Sequence, residues 1–498
     1  MSFSLGVTLA TAASLFFSGV AAGTLNRRDD VRAVFTKSHW SSATTISFPG
    51  SDSFDAKTER WNAFDPPTYA VAVSPGSQSD LVKVVKLATA HSIPFLATGG
   101  RHGYTTTLGA LDNGLAIDLS NFNSVKVNKR AATLTIGGAV RFRDIYDPVF
   151  EAGFEIQMGT CSCPGMVGVT LGGGVGPWGG VHGLLIDALL SLRVVTASGR
   201  VVHVSAKSNP DLFWAFRGAG ANFGIVVSAT YRLQKQVNRG QILVADMLFP
   251  AEKNVSYFNL LEAYNRKVPK GISISSFVLY NTTIGQAQIA ASWAYIGPEH
   301  EGRKAFAPVF ALKPISTNIQ TFPWNKVITS GSGGIDAYIC QPGLNHNIYE
   351  VNARKISSAT YKSAFSKISA FYKNNPTARG SDILISIYAN QAALAVPDSA
   401  TAYAYRDTVA YNDIQFSWSG SNSTLEAITT ALGRQLRSEF AATSGYSDLA
   451  VYLNSAHGDE TLKQKYGTRK LPRLAALKKT WDPDRVFRYN NALPTRYP

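Results

Sequence analysis

Three glycine-rich segments constrain the fold of this chain most strongly, and all three lie in the first half of its 498 residues. They cover residues 97–122, 158–195 and 209–233, and each adjoins a run with the composition of a β-strand. Glycine lets a backbone turn sharply and present successive N–H groups to an anion. Close packing of backbone would explain any one segment alone. Together they predict a domain that holds an extended, phosphate-bearing cofactor.

The first segment turns directly after a predicted strand, at Gly99 and Gly100. Arg101 adds a positive charge there, and His102 lies at the mouth of the turn, before Gly103. A lone histidine in a loop is usually just solvated. A histidine enclosed by glycines on both sides is a stronger candidate for contact with a cofactor, so His102 is singled out.

The second segment contains an apparent dinucleotide-binding fingerprint, GVGPWG, at residues 174–179. We reject that interpretation because Pro177 and a further glycine pair stand where the fingerprint needs a helix to begin. These glycines suit backbone that lies flat against a large planar or diphosphate-bearing group, with close packing as the alternative. The third segment is similar, since its predicted helix at residues 211–216 runs into residues that can turn the chain, namely Gly218, Gly220, Asn222 and Gly224.

The pattern of strands and helices changes once along the chain. Residues 31–233 alternate helical stretches with short strands, whereas longer alternating strands begin near residue 234. The second pattern predicts an antiparallel sheet with helices on one face, ending near residue 442. A further helix is predicted at residues 471–480, followed by a polar coil. The predicted fold class is α+β.

The charge of the chain favours a soluble enzyme over a nucleic-acid-binding protein. Lysine and arginine number 48 against 33 aspartates and glutamates, which gives a net charge of +15. The basic residues are scattered, and their longest cluster, residues 463–479, also has the apolar spacing of a packed helix. A surface that follows phosphates needs a concentrated basic stripe, so we expect no nucleic-acid partner.

The beginning of the chain predicts a signal peptide over residues 1–22, because this stretch carries no charge and has an apolar core. A membrane anchor is the alternative, but the run is short and interrupted by small and polar residues. Three N-glycosylation sequons, at Asn254, Asn281 and Asn422, agree with a secretory route. We expect a secreted or secretory-pathway glycoprotein that has no membrane span after removal of the signal.

Three cysteines are present, Cys161, Cys163 and Cys340. So few exclude a scaffold held together by disulfides, and a chain of this length does not need one. Two cysteines separated by one residue, without a nearby histidine in sequence, make a poor zinc site, so we expect no metal. An odd number of cysteines in a secreted chain implies a separate use for one thiol.

The order of these motifs resembles a known family. The sequences TGGRHG at residues 98–103, GTC at 159–161, LGGG at 171–174 and NPDLFWAFRGAGANFGIV at 209–226 resemble FAD-linked oxidoreductases of the vanillyl-alcohol-oxidase/PCMH fold, in their berberine-bridge-enzyme-like branch. Residues 458–487 resemble the closing segment of that branch. Fungal members are the most similar in these motifs.

The resemblance implies a division of the chain into domains. A two-lobed PCMH-type FAD-binding domain is expected over residues 30–235. A substrate-binding domain, with the antiparallel sheet and helices on one face, is expected over residues 236–445. The last segment, residues 446–498, is expected to return to the FAD-binding domain.

The resemblance also implies FAD bound covalently at two points. His102 occupies the position that is joined to the flavin 8α-methyl group in the family. Cys161 lies eleven residues before the triple glycine and occupies the position that is joined to flavin C6. Cys163 is the second candidate for that bond, or a packed thiol. Both side chains are expected to reach opposite edges of one buried ring system. The other residues implied around the cofactor are Thr98, Gly99, Gly100, Arg101, Gly103, Gly165, Gly168, Gly172, Gly173, Gly174, Gly176, Asn222, Gly224 and Val226.

The family often places a catalytic carboxylate on a strand of the substrate domain. The corresponding region, residues 383–396, contains no acid, and Asn390 and Gln391 are among its few large polar residues. Tyr452, in a Tyr-x-Asn motif near the C-terminus, is therefore the preferred acid–base or substrate-orienting group. A tyrosine base would need neighbours that lower its pKa. A structural tyrosine packed beside the flavin is the alternative.

Three functions follow from the resemblance. The first is a monomeric flavin oxidase that removes a hydride from a C–H bond next to oxygen or nitrogen in a small, secondary-metabolite-like molecule and passes the electrons to O2, giving H2O2. The second is a carbohydrate oxidase that converts a sugar C1 hydroxyl to a lactone. Aromatic side chains that could stack on a sugar are Trp293, Tyr295, Trp324, Tyr403, Tyr405 and Trp418. The third is a flavin-carrying binding protein without turnover.

Overall fold

The computed structural model describes residues 27–497. The expected signal peptide lies outside the described residues. Within residues 27–497, no helix combines the length and the apolar character needed to cross a membrane. The helices are α1 Arg27–Thr36, α2 Asp52–Thr58, α3 Gln78–Ala90, α4 Phe142–Glu151, α5 Met166–Leu171, α6 Leu185–Ala188, α7 Pro210–Ala219, α8 Asn254–Ala263, α9 Glu299–Phe310, α10 Trp324–Ser330, α11 Asp336–Ile339, α12 Ser358–Asn374, α13 Gln391–Leu394, α14 Ser423–Thr443, α15 Leu462–Tyr466 and α16 Leu471–Trp481.

The strands pair into three larger sheets and one short two-stranded ribbon. In chain order they are β1 Thr45–Ser47, β2 Tyr69–Ser74, β3 Phe95–Thr98, β4 Gly114–Asp118, β5 Val125–Asn128, β6 Thr133–Gly137, β7 Phe154–Glu155, β8 Leu189–Val195, β9 Val201–Ser205, β10 Ile225–Arg232, β11 Gln234–Lys235, β12 Gln241–Phe249, β13 Ile272–Asn281, β14 Gln286–Ile296, β15 Ser316–Pro323, β16 Asn345–Ala353, β17 Asp382–Tyr388 and β18 Ala410–Trp418. The predicted α+β class is confirmed.

The first half of the chain forms two sheets that pack together. One has the order β1-β2-β4-β3, in which β2, β4 and β3 run parallel and β1 is antiparallel to β2. The other is antiparallel, with the order β5-β6-β10-β8-β9. Val195 and Ile225 of the second sheet share a buried cluster with Val71 and Ile117 of the first. The glycine-rich loops connect elements of these two sheets.

The second half forms a seven-stranded antiparallel sheet in the order β15-β12-β14-β13-β17-β18-β16. Alternating residues of each strand point to opposite faces. One face packs against α8, α9, α12 and α14, as Ile272 and Ile274 of β13 show. The intervening Ser273 and Ser275 lie on the other face, which is turned towards the first half of the chain.

Two strands of this sheet lack the alternating pattern on which the prediction of the sheet rests. β15 is an edge strand whose residues are mostly polar and exposed, so it lacks the expected apolar alternation. β16 is buried from its second residue onwards, but its face away from the helices carries His346, Glu350 and Asn352. A buried strand with polar residues on one face does not have the composition of a core strand.

The C-terminal segment packs against the first half of the chain. Leu471 and Leu474 of α16 belong to the same buried cluster as the five-stranded sheet. Lys478 is fully buried and donates hydrogen bonds to Asp482 at 2.6 Å and to the carbonyl oxygen of Asn222 at 2.8 Å. Because an unpaired buried charge is costly, these contacts hold the segment in one position.

Candidate functional site

A cavity of about 770 Å³ lies between the glycine-rich loops and the open face of the seven-stranded sheet. Most of its wall is apolar, and polar groups are grouped on the sheet and at the loops. A pocket of this size and composition is typical of a site for an organic cofactor or substrate. The predicted site residues that line it are Thr98, Gly99, Gly100, Arg101, His102, Gly103, Cys161, Gly165, Gly168 and Tyr452.

Two loops meet backbone to backbone at the floor of the cavity. A Cβ atom at Gly100 would lie 2.2 Å from the backbone nitrogen of Gly165, and one at Gly99 would lie 2.6 Å from the carbonyl oxygen of Gly138. Contacts this short leave no room for a side chain, so only glycine fits at both positions. The turn after β3 and the loop before α5 are therefore held against each other.

Arg101 fixes the turn that carries His102. Its backbone adopts a φ of +55°, which is uncommon for a non-glycine residue. The guanidinium donates to Asp118 at 2.9 Å and to the carbonyl oxygen of Ala56 at 2.9 Å. Asp118 in turn accepts a hydrogen bond from Ser74 at 2.7 Å. The positive charge that the sequence places at this turn is thus paired within the protein, and Arg101 also lines the cavity.

His102 and Cys161 converge in the cavity, because a ring nitrogen of His102 and the sulfur atoms of Cys161 and Cys163 all lie within 4.8 Å of one another. Burial, followed by the neighbouring His346, lowers the pKa of His102 to about 3. Nε2 of His102 is buried and has no hydrogen-bond partner among the described residues. The imidazole is therefore neutral and carries an unused polar atom.

The sulfur of Cys163 forms a disulfide with Cys340, across 177 residues of sequence. The sequence excludes a scaffold held together by disulfides but does not indicate this pairing, because nothing around Cys163 or Cys340 marks them as partners. The bond leaves Cys161 as the free thiol. It also removes the Cys163 sulfur as a metal ligand, so the three-residue cluster offers two donor atoms.

The thiol of Cys161 is protonated in this environment. Burial raises its pKa to about 12, and the nearby carboxylate of Asp336 acts in the same direction. Asp336 accepts hydrogen bonds from the backbone N–H of Ser162 at 2.8 Å and from its hydroxyl at 2.6 Å. The Cys161 loop is thus joined to α11 by these hydrogen bonds as well as by the disulfide.

A second group of predicted cofactor residues lies outside the wall of this cavity. A Cβ atom at Gly172 would lie 2.1 Å from Asn454 Oδ1, and one at Gly176 would lie 2.0 Å from the Met158 carbonyl oxygen. Close packing, the alternative stated for this segment, accounts for these glycines. The same holds for Gly173 against Tyr403, Gly174 against Leu185 and Gly224 against Val194.

Asn222 and Val226 also have structural contacts in place of cavity contacts. The Asn222 side chain accepts a hydrogen bond from the backbone N–H of Leu493 at 2.8 Å and donates to the Tyr466 hydroxyl at 3.0 Å. It therefore fixes the C-terminal segment. Val226 is buried, and its carbonyl oxygen would lie 2.2 Å from a Cβ atom at Gly138, which itself lines the cavity.

Tyr452 lies in the cavity wall, and its hydroxyl oxygen accepts three hydrogen bonds. The donors are the Asn454 amide at 2.7 Å and the backbone N–H groups of Gly174 at 3.2 Å and Val175 at 3.3 Å. These bonds favour the phenolate, but burial dominates and raises the pKa of Tyr452 to about 12. Tyr452 is therefore protonated near neutral pH, contrary to the requirement for a tyrosine base.

Asn390 and Gln391, the other two catalytic candidates, do not line the cavity. Asn390 donates a hydrogen bond to the carbonyl oxygen of Thr408 at 3.0 Å. Gln391 donates to the carbonyl oxygen of Val268 at 2.8 Å. Both side chains satisfy backbone groups after the end of β17.

Two carboxyl groups in the cavity, those of Asp382 and Asp413, are not among the residues predicted from the sequence. Burial raises the pKa of Asp413 to about 7, and burial together with Asp413 raises that of Asp382 to about 8. Asp413 Oδ1 is buried with no hydrogen-bond partner in the described part of the chain. Asp382 lies one residue before the acid-free region 383–396, and Asp413 lies on β18, the strand paired with β17.

These features fit FAD. The cavity has the volume of a cofactor site, glycines allow close approach of its floor, and the unpartnered His102 Nε2 and free Cys161 thiol offer two nucleophilic atoms. A ring nitrogen of His102 and the sulfur of Cys161 lie no more than 4.8 Å apart, which is too short for opposite edges of a three-ring system. This distance suits instead the 8α-methyl and C6 positions, which belong to the same terminal ring.

Comparisons with known proteins give the same result. A family model described as "FAD binding domain" matches residues 69–205, and one described as "Berberine and berberine like" matches residues 451–494. The chain is 48% identical over 457 residues to the FAD-linked oxidoreductase OXR1 of Pyricularia oryzae, covering 91% of this chain and 90% of that protein. It is 44% identical over 497 residues to the FAD-linked oxidoreductase srdI of Neurospora crassa, covering 97% and 99%.

Solved structures show the same fold. The BBE-like 1 protein of Physcomitrella patens superposes with a TM-score of 0.80 at 22% identity, covering 91% of this chain and 98% of that one. The xylooligosaccharide oxidase of Myceliophthora thermophila C1 superposes with a TM-score of 0.78 at 23% identity, again covering 91% and 98%. The chain belongs to the FAD-linked oxidoreductases of the berberine and berberine-like family.

Proposed function

We propose that this enzyme is an oxidase that holds FAD covalently through His102 and Cys161. In this proposal it removes a hydride from a carbon next to oxygen or nitrogen in a small organic molecule, and O2 receives the electrons to give H2O2. The observation that carries the proposal is a single cavity that joins the His102–Cys161 pair to the buried carboxyl of Asp413. In this proposal the same cavity therefore contains the residues that attach the cofactor and the residue that acts as the base.

The assignment of the two flavin bonds is supported by the state of the three cysteines. Cys163 is oxidised to a disulfide with Cys340, so Cys161 is the remaining thiol for a bond to C6. Neutral His102 retains a lone pair for a bond to the 8α-methyl group. Because the thiol has a pKa of about 12 without cofactor, bond formation at Cys161 requires a group that takes its proton.

Bound FAD supplies the hydride acceptor, and the chain supplies orientation and proton transfer. Asp413, with a pKa of about 7, is suited to accept the proton of a substrate hydroxyl or amine near neutral pH. Tyr452 remains protonated and uses its hydroxyl to orient the substrate heteroatom, while three N–H donors fix its oxygen. Asp382, with a pKa of about 8, is a neutral hydrogen-bonding group at pH 7.

The composition of the cavity favours a small, largely apolar substrate. Leu384, Phe277 and Ile348 of the sheet and Ile335 and Ile339 of the α11 region line it. The aromatic residues considered as sugar platforms, Trp293, Tyr295, Trp324, Tyr403, Tyr405 and Trp418, are not part of its wall in the described structure. A secondary-metabolite-like substrate therefore fits better than an oligosaccharide.

A carbohydrate C1 oxidase is the second candidate. It is favoured by the row of Ser273, Ser275, Ser292 and Gln415 on the open face of the sheet, which could bind several hydroxyl groups. Solved relatives named as xylooligosaccharide and chitooligosaccharide oxidases share the fold. The third candidate, a flavin-carrying binding protein without turnover, is disfavoured because it gives the carboxyl groups of the cavity no chemical role.

We also propose limits for the domains and a cellular location. We place the FAD-binding domain at residues 30–235, the substrate-binding domain at 236–445 and the returning segment at 446–498. We also propose secretion as a glycosylated monomer. Exposed Asn422 at the N-terminus of α14 supports glycosylation.

The experiment that tests the function is anaerobic reduction of the bound flavin by a panel of alcohols, amines, phenols and sugars. An oxidase loses its flavin absorbance with one substrate class and forms H2O2 when air is readmitted. Loss of absorbance without H2O2 would indicate a dehydrogenase. Reduction by oligosaccharides alone would favour the second candidate, and no reduction by any compound would favour the binding protein.

A further inference from the structure

Trp61 lies between two imidazole rings, one from each half of the chain. Its ring centroid is 4.2 Å from that of His102, with 12° between the planes, and 4.1 Å from that of His346, with 6° between the planes. Two imidazoles at these distances on the same face would overlap. They therefore lie on opposite faces of the indole, and the three residues form a continuous stack at the edge of the cavity.

The indole is held firmly by its surroundings. Its Nε1 donates a hydrogen bond to the carbonyl oxygen of Ile339 at 2.6 Å, and its backbone N–H donates to the carbonyl oxygen of Arg101 at 3.1 Å. Trp61 is 8% exposed. It is thus fixed both to the turn that carries His102 and to α11, which continues to the disulfide at Cys340.

His346, on the other side of the indole, is held by hydrogen bonds to its ring and to its backbone. Its Nδ1 is 2.9 Å from the Ser417 hydroxyl, and its backbone N–H donates to Asn62 Oδ1 at 2.8 Å. Asn62 also donates to the carbonyl oxygen of His346 at 2.9 Å. Residues 61 and 62 therefore hold His346 by its ring and by both of its backbone groups.

We propose that Trp61, supported by His346, is the positioning residue that orients the His102 imidazole for its covalent bond to FAD. The proposal rests on the attachment proposed above. It adds that the bond depends on a residue of the N-terminal region and on a strand of the opposite half. Stacking fixes the plane of the His102 ring but leaves its edge free, and Nε2 at that edge has no partner among the described residues.

The bond needs this orientation because a neutral imidazole must approach a single methyl carbon. One C–H bond of the 8α-methyl group and the N–H bond of the imidazole are broken, and one C–N bond is formed. The two electrons and two protons released pass through the isoalloxazine to O2, which becomes H2O2. Because the plane of the imidazole is fixed, its nitrogen is correctly placed relative to the methyl carbon for a larger fraction of the time.

The test measures attachment directly in a Cys161→Ala background, where His102 is the only proposed bond. The purified holoprotein is denatured in acid, and the flavin that stays with the chain is compared with the flavin bound before denaturation. Trp61→Leu is expected to lower the covalent fraction by about tenfold or more, because small misplacements of reacting groups have large effects on rate. Trp61→Phe keeps a stacking ring and is expected to restore most of it.

Trp214→Leu is the matched control. Trp214 is a similarly buried tryptophan in the first half of the chain, and its Nε1 donates to the carbonyl oxygen of Ser399, away from the cavity. It is expected to keep the parent covalent fraction. Equal losses in Trp61→Leu and Trp214→Leu would show general destabilisation and overturn the proposal.

His346→Ala provides a second variant that leaves the indole in place. We expect an intermediate loss of covalent flavin, and His346→Phe should recover it. If Trp61→Leu does not bind FAD, a parent-like covalent fraction in His346→Ala overturns the proposal. A parent-like fraction in folded Trp61→Leu overturns it as well. If the Cys161→Ala parent itself releases all of its flavin, attachment at His102 is wrong, and the failure lies in the proposed function.

Discussion

Cys163 and Cys340 are joined by a disulfide that connects the loop before α5 to the end of α11. The loop carries Cys161, and α11 forms part of the cavity wall through Asp336 and Ile339. The disulfide therefore both selects which cysteine stays free and fixes one wall of the cavity. Its position explains why two cysteines separated by a single residue have different fates.

Loss of this disulfide should lower stability and change flavin attachment. A bond that closes a loop of 177 residues restricts the unfolded chain, and we expect Cys340→Ser to cost about 2–5 kcal/mol of unfolding free energy. Cys163 then becomes a free thiol near the cofactor. Thermal unfolding checks the first effect and peptide mass spectrometry the second. Cys161→Ala, which keeps the disulfide, is the control, and an unchanged melting temperature in Cys340→Ser would contradict the expectation.

Asp413→Asn should slow flavin reduction by about 100-fold or more, because removal of a general base has effects of this size. The ionised carboxylate is the active form, so the reduction rate of the unmodified enzyme should rise with pH through a midpoint near 7, its pKa in the cavity. Stopped-flow reduction across pH measures both. Asp484→Asn, at an exposed position, is the control. A rate independent of Asp413 would remove it from the mechanism.

Asp382 should make stability depend on pH. Its folded-state pKa is raised from 3.8 to about 8, so its contribution to stability is full below about pH 4 and is lost as pH rises through 8. The loss amounts to about 1.4 kcal/mol per pH unit between these values. Because Asn does not titrate, the melting temperature of Asp382→Asn relative to the unmodified enzyme should be higher at pH 8 than at pH 5. A pH-independent difference would contradict the burial of an ionisable carboxyl.

Tyr452→Phe should slow flavin reduction more than it weakens substrate binding. The substitution removes a hydroxyl that accepts three hydrogen bonds and leaves the donors of Asn454, Gly174 and Val175 unpaired. We expect a decrease of about tenfold or more in the limiting rate, without a shift of the midpoint near pH 7. Since the pKa of Tyr452 is about 12, a lost midpoint would instead identify this tyrosine as the base.

Glycosylation should occur first at Asn422. Asn422 is exposed at the N-terminus of α14, and its Oδ1, not the amide nitrogen that would carry the glycan, accepts a hydrogen bond from the backbone N–H of Leu425 at 3.0 Å. In contrast, the amide nitrogen of Asn254 donates to the carbonyl oxygen of Ala251 at 2.6 Å, and that of Asn281 donates to Gln288 at 2.5 Å. In a secretory host, Asn422→Gln should remove one glycan by mass, and Asn254→Gln should leave the mass of the glycoform unchanged. A glycan found at Asn254 alone would show that this ranking by accessibility is wrong.

The sequence predicts much of the fold because long alternating strands and amphipathic helices carry local signals. β13, β14 and β18 are of this kind, while β15 and β16 are not, since one is polar and exposed and the other has buried polar residues. Glycine-rich motifs correctly indicate the turn at Gly99 and Gly100, whose function is close backbone contact at the cavity. Local signals could not separate them from Gly172 or Gly176, which serve packing elsewhere.

The cavity itself depends on contacts between distant residues. Asp382 and Asp413 share it because β17 pairs with β18, with Leu384 opposite Asp413. Trp61 and His346 meet although 285 positions separate their numbers in the sequence. Nothing in the residues around Cys163 indicates Cys340 as its partner. These contacts depend on how the strands pair and on how distant parts of the chain pack together, and no local sequence motif indicates them.

The most direct test is mass spectrometry of the purified holoprotein after reduction of the disulfide and digestion with trypsin. Cleavage separates the peptide that contains His102 from the peptide that contains Cys161. We expect both peptides in a single species, joined through one flavin, and Cys163 free of flavin. Flavin released from both peptides, or a flavin attached to Cys163, would contradict the attachment proposed here.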